Sequence, residues 1–334
     1  MSLARSLSLA TLAARARGAL TLAAVLTAAC GSTTSQTPDA HRAPALRVIT
    51  PFAAATGQLP EGVVVVGPDA YVGLAPLGQI LRVDLATGTS TPFATLPTPE
   101  AGKGFMTGLA FHDGYLYAGL TSFVPEIPPG VYRVPTTGGA ATLFASNPGM
   151  TFPNALEFDA SGDLYVTDSG KGSVFRASAT GGVAEEWVTD PLLHGQQDAC
   201  GPGTGAGFDI GANGIVVDPD AIYVVNDDKA TLLRIPRIDG KAGAPVVVGA
   251  PDCAGLGGAD GLTRDGDGFL VADNRQNKLV HVTRDGVATT VIDTGLDFPA
   301  TVVRAGDRWI GTSFAFANAS AGKPANPALF ELAP

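Results

Sequence analysis

Residues 213–235 of this 334-residue chain read Asn213-Gly-Ile-Val-Val, Asp-Pro-Asp, Ala221-Ile-Tyr-Val-Val, Asn-Asp-Asp-Lys-Ala, Thr231-Leu-Leu-Arg-Ile. Three short runs rich in β-branched and aromatic residues alternate with polar turns, a pattern typical of antiparallel strands. A Gly-bearing turn, Asp239-Gly, follows the third run and precedes a fourth. These residues therefore predict one unit of four strands, in which the first strand begins with a polar residue.

The same unit recurs along the chain at intervals of 40 to 59 residues. We call the residues that open the units the column. Its six members are Glu61, Thr107, Asn154, Asn213, Asp260 and Ala300. A repeat of about 40–50 residues built from strands is typical of propeller blades, whereas solenoids are the other common source of such periods. The sequence therefore predicts an all-β fold, a six-bladed β-propeller over residues 46–334.

The last unit has only three candidate strands, which are Thr301 to Arg304, Arg308 to Phe314 and Ala328 to Leu332. An earlier segment, Leu46 to Ala53, supplies the missing one, because its Thr50-Pro-Phe-Ala repeats the Thr91-Pro-Phe-Ala that ends the first full unit. We therefore expect an N-terminal strand to close the last blade, which also covers sheet edges that would otherwise be open to pairing.

The N-terminal region has the pattern of an export signal. Residues 1–29 combine three arginines with an apolar stretch too short to span a bilayer. They end in Leu26-Thr-Ala-Ala before Cys30, which resembles a bacterial lipoprotein signal with Cys30 as the lipidated residue. Residues 30–45 then form a flexible tether. The alternative is an ordinary secretory signal with a chance cysteine. We expect a lipid-anchored protein of the bacterial cell envelope.

The charge of the chain restricts its partners. The formal net charge is −10, and residues 1–29 contain arginines but no acid, so the remainder is more acidic still. A strongly acidic surface argues against nucleic acid, whose phosphates need basic patches. No second apolar segment is long enough to cross a membrane. We therefore expect a monomer that binds a small-molecule substrate and contacts the membrane only through lipid at Cys30.

Two cysteines remain if Cys30 carries lipid. Cys200 and Cys253 each lie in a Gly-rich loop just before a column residue, Asn213 and Asp260 respectively. Loops at this position in neighbouring blades emerge on the same face, and an oxidising compartment favours pairing. We expect a Cys200–Cys253 disulfide, with two free thiols as the alternative.

Four column residues carry side-chain oxygens: Glu61, Asn154, Asn213 and Asp260. A ring of blades directs them at one central point, where two carboxylates and two carboxamides suit a hard divalent cation. No His or Cys shares the column. The sequence thus predicts one metal ion, calcium by preference, with zinc, magnesium and manganese left open. The alternative is a polar channel that binds only water.

The dipeptides that open these blades also carry a family resemblance. Glu61-Gly, Pro-Asn154, Asn213-Gly and Asp260-Gly resemble, in order and spacing, the gluconolactonase/regucalcin family of six-bladed propellers. The resemblance covers residues 46–334 and implies that Glu61, Asn154, Asn213 and Asp260 bind one metal in the central channel. The residue after Asn154 is Ala, where the family often has a second polar residue, and the family's substrate-contacting residues have no clear counterparts here.

The resemblance and the ligand set imply a hydrolase of lactones or related esters. In this interpretation the cation polarises the substrate carbonyl, and Asp260 acts both as ligand and as general base. Two alternatives stay open: a module that binds a metal and a small ligand without turnover, and a metal-free interaction propeller like the NHL repeats.

Further acids follow the second strand of several units. Asp168, Asp227, Asp228 and Asp273 occupy similar turn positions, where acidic side chains are common. We expect these four to face solvent rather than to form a second acidic site.

Overall fold

Six β-sheets build the described part of the molecule, and all but one of their strand pairs are antiparallel. The computed structural model describes residues 45–98, 100, 102–201, 207–250 and 252–333. From Ala45 onward the described residues form one compact unit. The predicted signal peptide 1–29, the lipidation site Cys30 and almost all of the tether 30–45 lie outside the described residues. No described helix is long and apolar enough to cross a membrane.

Each sheet is one blade, numbered here along the chain. Blade 1 contains β2 (Pro60–Val66), β3 (Asp69–Leu74), β4 (Gln79–Asp84) and β5 (Ser90–Thr95). Blade 2 contains β6 (Gly104–His112), β7 (Tyr115–Ser122), β8 (Gly130–Pro135) and β9 (Thr142–Ser146), with β13 (Gly182–Val183) beside β9. Blade 3 contains β10 (Pro153–Phe158), β11 (Leu164–Asp168), β12 (Ser173–Ala177) and β14 (Glu185–Thr189).

The remaining blades follow the same plan. Blade 4 contains β15 (Ala212–Val217), β16 (Ala221–Asn226), β17 (Thr231–Ile238), β18 (Lys241–Ala242) and β19 (Val246–Val248). Blade 5 contains β20 (Ala259–Asp265), β21 (Gly268–Asp273), β22 (Lys278–Val282) and β23 (Ala288–Ile292). Blade 6 contains β24 (Pro299–Ala305), β25 (Arg308–Ser313), β26 (Ala328–Ala333) and β1 (Ala45–Pro51). The helices are α1 (Cys253–Leu256), α2 (Phe316–Ser320) and two 3₁₀ turns, Ala54–Thr56 and Ala75–Leu77.

The first strand of each full blade lies innermost, and these strands form a closed ring. Strand β2 contacts β6, and the contacts continue through β10, β15, β20 and β24 back to β2. Six apolar clusters fill the spaces between blades, one for each neighbouring pair. The predicted all-β, six-bladed propeller is therefore confirmed.

The last blade is closed by the N-terminal strand, as predicted. Strand β1 pairs antiparallel with β26, with Leu46 opposite Leu332 and Thr50 opposite Leu329. Leu46 packs in the cluster between blades 5 and 6, and Ile49 packs in the cluster between blades 6 and 1. The strand thus contributes both backbone pairing and apolar side chains to the closed ring.

A β-bulge interrupts every inner strand at the column. In all six, pairing with the second strand stops at the residue before the column position and resumes two residues after it. A bulge frees a residue from the ladder and re-aims its side chain. The repeated bulge is therefore the local feature that sends the column into the central channel.

Glycine follows the column residue in four blades because neighbouring inner strands approach each other closely there. A Cβ on Gly62 would lie 2.7 Å from the Thr107 carbonyl oxygen, and one on Gly108 would lie 2.8 Å from that of Asn154. Gly214 and Gly261 meet the column carbonyls of blades 5 and 6 in the same way. The X-Gly dipeptides visible in the sequence are thus a packing requirement of the ring.

The expectation that the turn acids face solvent is wrong. Asp168, Asp227, Asp228 and Asp273 are all at most 1% exposed. Asp168 accepts from the backbone N–H groups of Thr151 and Phe152, at 2.6 and 3.1 Å. Asp228 likewise accepts from the N–H of Ile210 at 2.8 Å. Asp168 and Asp228 thus satisfy backbone donors of the loops that lead into inner strands, which explains the burial of these two carboxylates.

Removal of β1 should open the ring. We compare a chain that begins at Ala45 with one that begins at residue 54. The shorter chain loses the pairing with β26 and the burial of Leu46 and Ile49, so its free energy of unfolding should fall by on the order of 5 kcal/mol. Urea denaturation measures this difference. Equal midpoints for the two chains would show that β1 does not close the ring.

Gly261→Ala tests the close approach of inner strands. Its added methyl group meets the backbone of Ala300 and Thr301, which cannot move without shifting β24, so we expect a loss of about 1–3 kcal/mol. Gly149→Ala is the matched control, because its methyl group would meet only the side-chain ends of Lys171 and Asn147. Thermal and urea unfolding of both variants give the comparison. A Gly261 variant as stable as the control would contradict the packing explanation.

Candidate functional site

The four polar column residues meet in the central channel. Glu61, Asn154, Asn213 and Asp260 come from four different blades, and each is at most 7% exposed. All four line the same two cavities, which meet at this level of the channel. The structure therefore brings together all the side chains proposed from sequence as metal ligands, and we call this group the polar centre.

The carboxylates of Glu61 and Asp260 repel each other in the polar centre, and neither forms an ion pair with a described basic residue. Burial raises the pKa of Glu61 well above its ordinary value, and the charge of Asp260 raises it further. Burial also raises the pKa of Asp260 to about 7, although hydrogen bonds from Asn274 and Asn213 oppose the increase. Such a pair is costly to ionise unless a positive charge joins it.

One atom of the polar centre is conspicuously unsatisfied. The buried Oε2 atom of Glu61 has no hydrogen-bond partner among the described residues. Buried polar atoms in folded proteins are almost always paired, so an orphaned carboxylate oxygen indicates a missing partner. A cation at this point would satisfy the oxygen and offset the repulsion from Asp260 at the same time.

The two amides are held by their surroundings. Asn154 donates its Nδ2 hydrogen to Ser169 Oγ at 2.9 Å, and Ser169 in turn donates to the carbonyl of Ala212 at 2.6 Å. Asn213 hydrogen-bonds to Asp260. The Ser169 contact fixes the amide of Asn154 so that its other atom, the carbonyl oxygen, is left for a ligand.

The remaining column positions do not supply ligands. Thr107 is buried, and its hydroxyl donates to the carbonyl of Pro153 at 2.9 Å, so it links blades 2 and 3. Ala300 carries no polar side chain. Within the described ranges, no cluster of three or more His, Cys, Asp or Glu is placed to hold a metal. The donor set of the polar centre is thus two carboxylates and two amides, which suits an oxygen-preferring cation.

A second layer of polar residues surrounds the polar centre; Ser169 and Asn274 were not predicted from the sequence, and Asp227 was expected to face solvent. Ser169, Asp227 and Asn274 each lie directly after the second strand of their blade. Asn274 donates to both Asp227 Oδ2 and Asp260 Oδ2, at 3.1 and 3.2 Å. A visible signal existed, since a polar residue follows the strand-ending Asp168, Asn226 and Asp273 in each case.

A buried arginine neutralises part of this layer. Arg275 is 9% exposed at its side chain and lies 3.4 Å from Asp227 Oδ1 and 3.9 Å from Asp228 Oδ1. Burial raises the pKa of Asp227 well above its ordinary value, while Arg275 acts in the opposite direction. The arginine therefore compensates Asp227 and Asp228, whereas no basic side chain in the described part of the chain pairs with Glu61 or Asp260.

Two cavities open from the polar centre. One, of about 440 Å³, extends along the inner strands and reaches the charged residues Glu157, Asp159 and Arg264. The other, of about 370 Å³, extends between the loops that precede the inner strands. Seven phenylalanines line that second cavity: Phe105, Phe123, Phe152, Phe208, Phe298, Phe314 and Phe316. We call it the phenylalanine cavity.

A disulfide joins two loops on the side of the phenylalanine cavity. Cys200 in the β14–β15 loop is bonded to Cys253 at the start of α1, with the Cα atoms 5.3 Å apart. The β14–β15 loop also carries Phe208 and Ile210, which line the cavity. The bond thus ties a wall of the cavity to the neighbouring blade.

Replacing both bridging cysteines should destabilise the protein. The bond closes a loop with a sequence separation of 53, so Cys200→Ser with Cys253→Ser should cost about 2–4 kcal/mol in free energy of unfolding. Urea denaturation of the oxidised parent, the reduced parent and the double variant measures this. Thiol labelling of unreduced, denatured protein is the direct check. Labelling at position 200 or 253 would exclude the bond.

Comparison with known proteins reveals a shared fold. No protein-family model and no curated protein sequence matches the chain. Among solved structures, it is similar to regucalcin from Agrobacterium tumefaciens, described as a calcium-binding protein, with TM-score 0.63 and 18% identity over 86% of this chain and 93% of that one.

Two further solved structures have the same architecture. A luciferin-regenerating enzyme matches with TM-score 0.62 and 13% identity, over 87% of this chain and 95% of that one. The PQQ-bound aldose sugar dehydrogenase of Streptomyces coelicolor matches with TM-score 0.58 and 16% identity, over 87% of this chain and 98% of that one. At these identities the likeness establishes the propeller fold alone.

Proposed function

We propose that the protein is an exported hydrolase of lactones or related esters that uses one divalent cation held at the polar centre. The observation that carries this proposal is the orphaned Oε2 atom of Glu61, buried beside a second carboxylate where two cavities meet. Two negative charges and two amide oxygens match one divalent cation and leave coordination positions free for water and substrate.

Calcium is the cation we favour, because all four proposed ligands donate oxygen and none is His or Cys. Zinc, magnesium and manganese are the alternatives to be compared with it. When bound, the cation would polarise the substrate carbonyl as a Lewis acid. The similarity in fold to a regucalcin described as calcium-binding agrees with this choice but does not carry it.

Asp260 is the residue we assign as general base. Asn274 and Asn213 hold its carboxylate, and it lines both cavities, so substrate and water reach it from either side. In hydrolysis, the water oxygen bonds to the carbonyl carbon while Asp260 takes a proton from the water. The ester C–O bond then breaks, and the proton returns to the leaving alkoxide. A lactone and one water thus give one hydroxy acid.

Export and anchoring belong to the same proposal. The segment that ends at Cys30 has the pattern of a lipoprotein signal, and lipid at Cys30 would hold the propeller at the bacterial cell envelope. The Cys200–Cys253 bond supports an oxidising compartment. The net charge of −10 supports a small-molecule substrate rather than nucleic acid. We propose a monomer with no membrane contact beyond the lipid.

Asp260→Asn separates the two roles of this residue. The amide keeps an oxygen at the polar centre but cannot accept the proton, so kcat should fall about 10²–10⁴-fold while metal affinity falls less. Asn213→Ala should instead weaken metal binding, and excess calcium should partly restore turnover. Metal affinity is measured by calorimetry on chelator-treated protein, and turnover by pH-stat with a lactone and ester panel.

Asp265→Asn is the matched control for these variants. It makes the same acid-to-amide change on the same inner strand, but Asp265 is outside the polar centre and lines neither cavity. Its metal affinity and turnover should equal those of the parent. If the protein binds metal stoichiometrically but shows no chelator-sensitive turnover, the proposed hydrolase activity would be overturned and a non-catalytic binding propeller would be favoured. Absence of metal would favour an interaction propeller of the NHL kind.

A further inference from the structure

Among the described residues, the phenylalanine cavity is polar only where it meets the polar centre. Its polar lining side chains in this part of the chain are Glu61, Thr107, Asn154, Asn213, Asp260 and Asn274, all of them in or around the polar centre. The other described lining residues are the seven phenylalanines with Ile210, Ala75, Pro76 and two glycines. A ligand that reaches the polar centre from this side therefore places its remaining atoms against aromatic rings.

The phenylalanines form two groups of touching rings. Phe105 meets Phe152 edge-on at 5.1 Å between ring centroids, and Phe152 meets Phe208 at 5.6 Å in the same way. Phe314 and Phe316 stack at 5.4 Å with planes 24° apart. Such ring-to-ring contacts hold aromatic side chains in fixed positions. The phenylalanine rings therefore form an ordered cavity wall, in which neighbouring rings contact one another, and not a set of unrelated exposed side chains.

Backbone strain positions the second group. Phe298 has φ 51° and Ala315 has φ 57°, a region that residues other than glycine rarely adopt. Two hydrogen bonds hold these conformations: the N–H of Phe298 donates to Asn277 Oδ1 at 2.6 Å, and that of Ala315 donates to the Asp297 carbonyl at 2.8 Å. Strain of this kind persists where the surrounding structure enforces it, often at ligand sites. Here the strained backbone at Phe298 and Ala315 directs the side chains of Phe298, Phe314 and Phe316 towards the same cavity.

A sugar lactone is a poor match for this lining. Its ring hydroxyls would lose water and find, among the described lining residues, no side-chain donor or acceptor beyond those in or around the polar centre. Unpaired buried hydroxyls are costly. An alkyl or aryl group instead gains by leaving water. The cavity volume of about 370 Å³ equals about twelve water molecules, so a ligand of about that many heavy atoms fits.

We propose that the site takes lactones or esters whose body beyond the ester group is apolar, with an alkyl or aryl substituent seated among Phe105, Phe152, Phe208 and Phe316. This inference rests on the proposed hydrolase function and specifies its substrate class. The alternative, a polyhydroxylated lactone bound in the charged cavity beside Arg264 and Glu157, is an outcome that the experiments below distinguish.

Two lactones with the same number of heavy atoms test this proposal. With calcium present, δ-decalactone should be hydrolysed with a kcat/KM at least about tenfold higher than that of glucono-1,5-lactone, because only the former has an apolar substituent to bury. Turnover of both, with glucono-1,5-lactone preferred, would overturn the inference and leave the hydrolase intact. Absence of chelator-sensitive turnover with either would overturn the hydrolase itself.

Matched Phe→Ser variants locate the binding surface. Phe123 is 58% exposed and lines the phenylalanine cavity, whereas Phe111 is 40% exposed and lines the other cavity. Both changes are therefore tolerable for folding. Phe123→Ser and Phe316→Ser should each raise KM for δ-decalactone about three- to tenfold with little change in kcat. Phe111→Ser should leave KM unchanged, and a KM that rises only for Phe111→Ser would overturn the assignment.

Binding of lactams gives a readout that does not depend on catalysis. The lactam of δ-decalactone, 6-pentylpiperidin-2-one, resists hydrolysis. Its affinity is measured by calorimetry, once with calcium and once after EDTA treatment. In both conditions we expect it to bind more tightly than glucono-1,5-lactam. Phe316→Ser should weaken it, and Phe111→Ser should not. If 6-pentylpiperidin-2-one binds more tightly but neither lactone is turned over, the apolar ligand class would be supported and the proposed hydrolase activity would be rejected. Tighter binding of glucono-1,5-lactam would reject the ligand class.

Discussion

The close approach of the six inner strands around the axis is the constraint on which the rest of the structure depends. The strands come so near that a Cβ after the column residue would collide with the next blade's carbonyl oxygen at Gly62, Gly108, Gly214 and Gly261. The same bulge that permits this approach frees the column side chains from the ladder. The same local backbone geometry therefore both packs the inner strands and directs the polar centre into the channel.

Hydrogen bonds between blades make the polar centre a property of the whole ring. Thr167 on blade 3 donates to the carbonyl of Asn213 on blade 4, and Thr312 on blade 6 donates to that of Glu61 on blade 1, both at 2.7 Å. Each column residue held in this way is fixed by a side chain of the preceding blade. A shift of one blade therefore moves a proposed ligand, so site geometry and ring stability are coupled.

The features that the sequence predicted are those that recur from blade to blade. The column repeats, so Glu61, Asn154, Asn213 and Asp260 could be identified, as could the strand that closes blade 6. The buried acids were misjudged because Asp168 looks the same in sequence whether it faces water or satisfies the loop at Thr151. The phenylalanines escaped notice because they come from loops, a strand and a short helix without common spacing, and only the folded ring brings them together.

The β1–β26 pairing joins the two ends of the described chain. Leu46 and Leu332 lie near opposite ends of it, so their contact has nearly the largest sequence separation that the propeller allows. Closing so long a loop costs conformational entropy, and strand pairing offsets this cost only after the loop has closed. The contact is therefore slow to form. Until then, the open edges of β1 and of the unfinished sixth blade are exposed to other chains. Pairing of β1 with β26 covers both edges, so completion of the ring also ends the exposure of these strands to other chains.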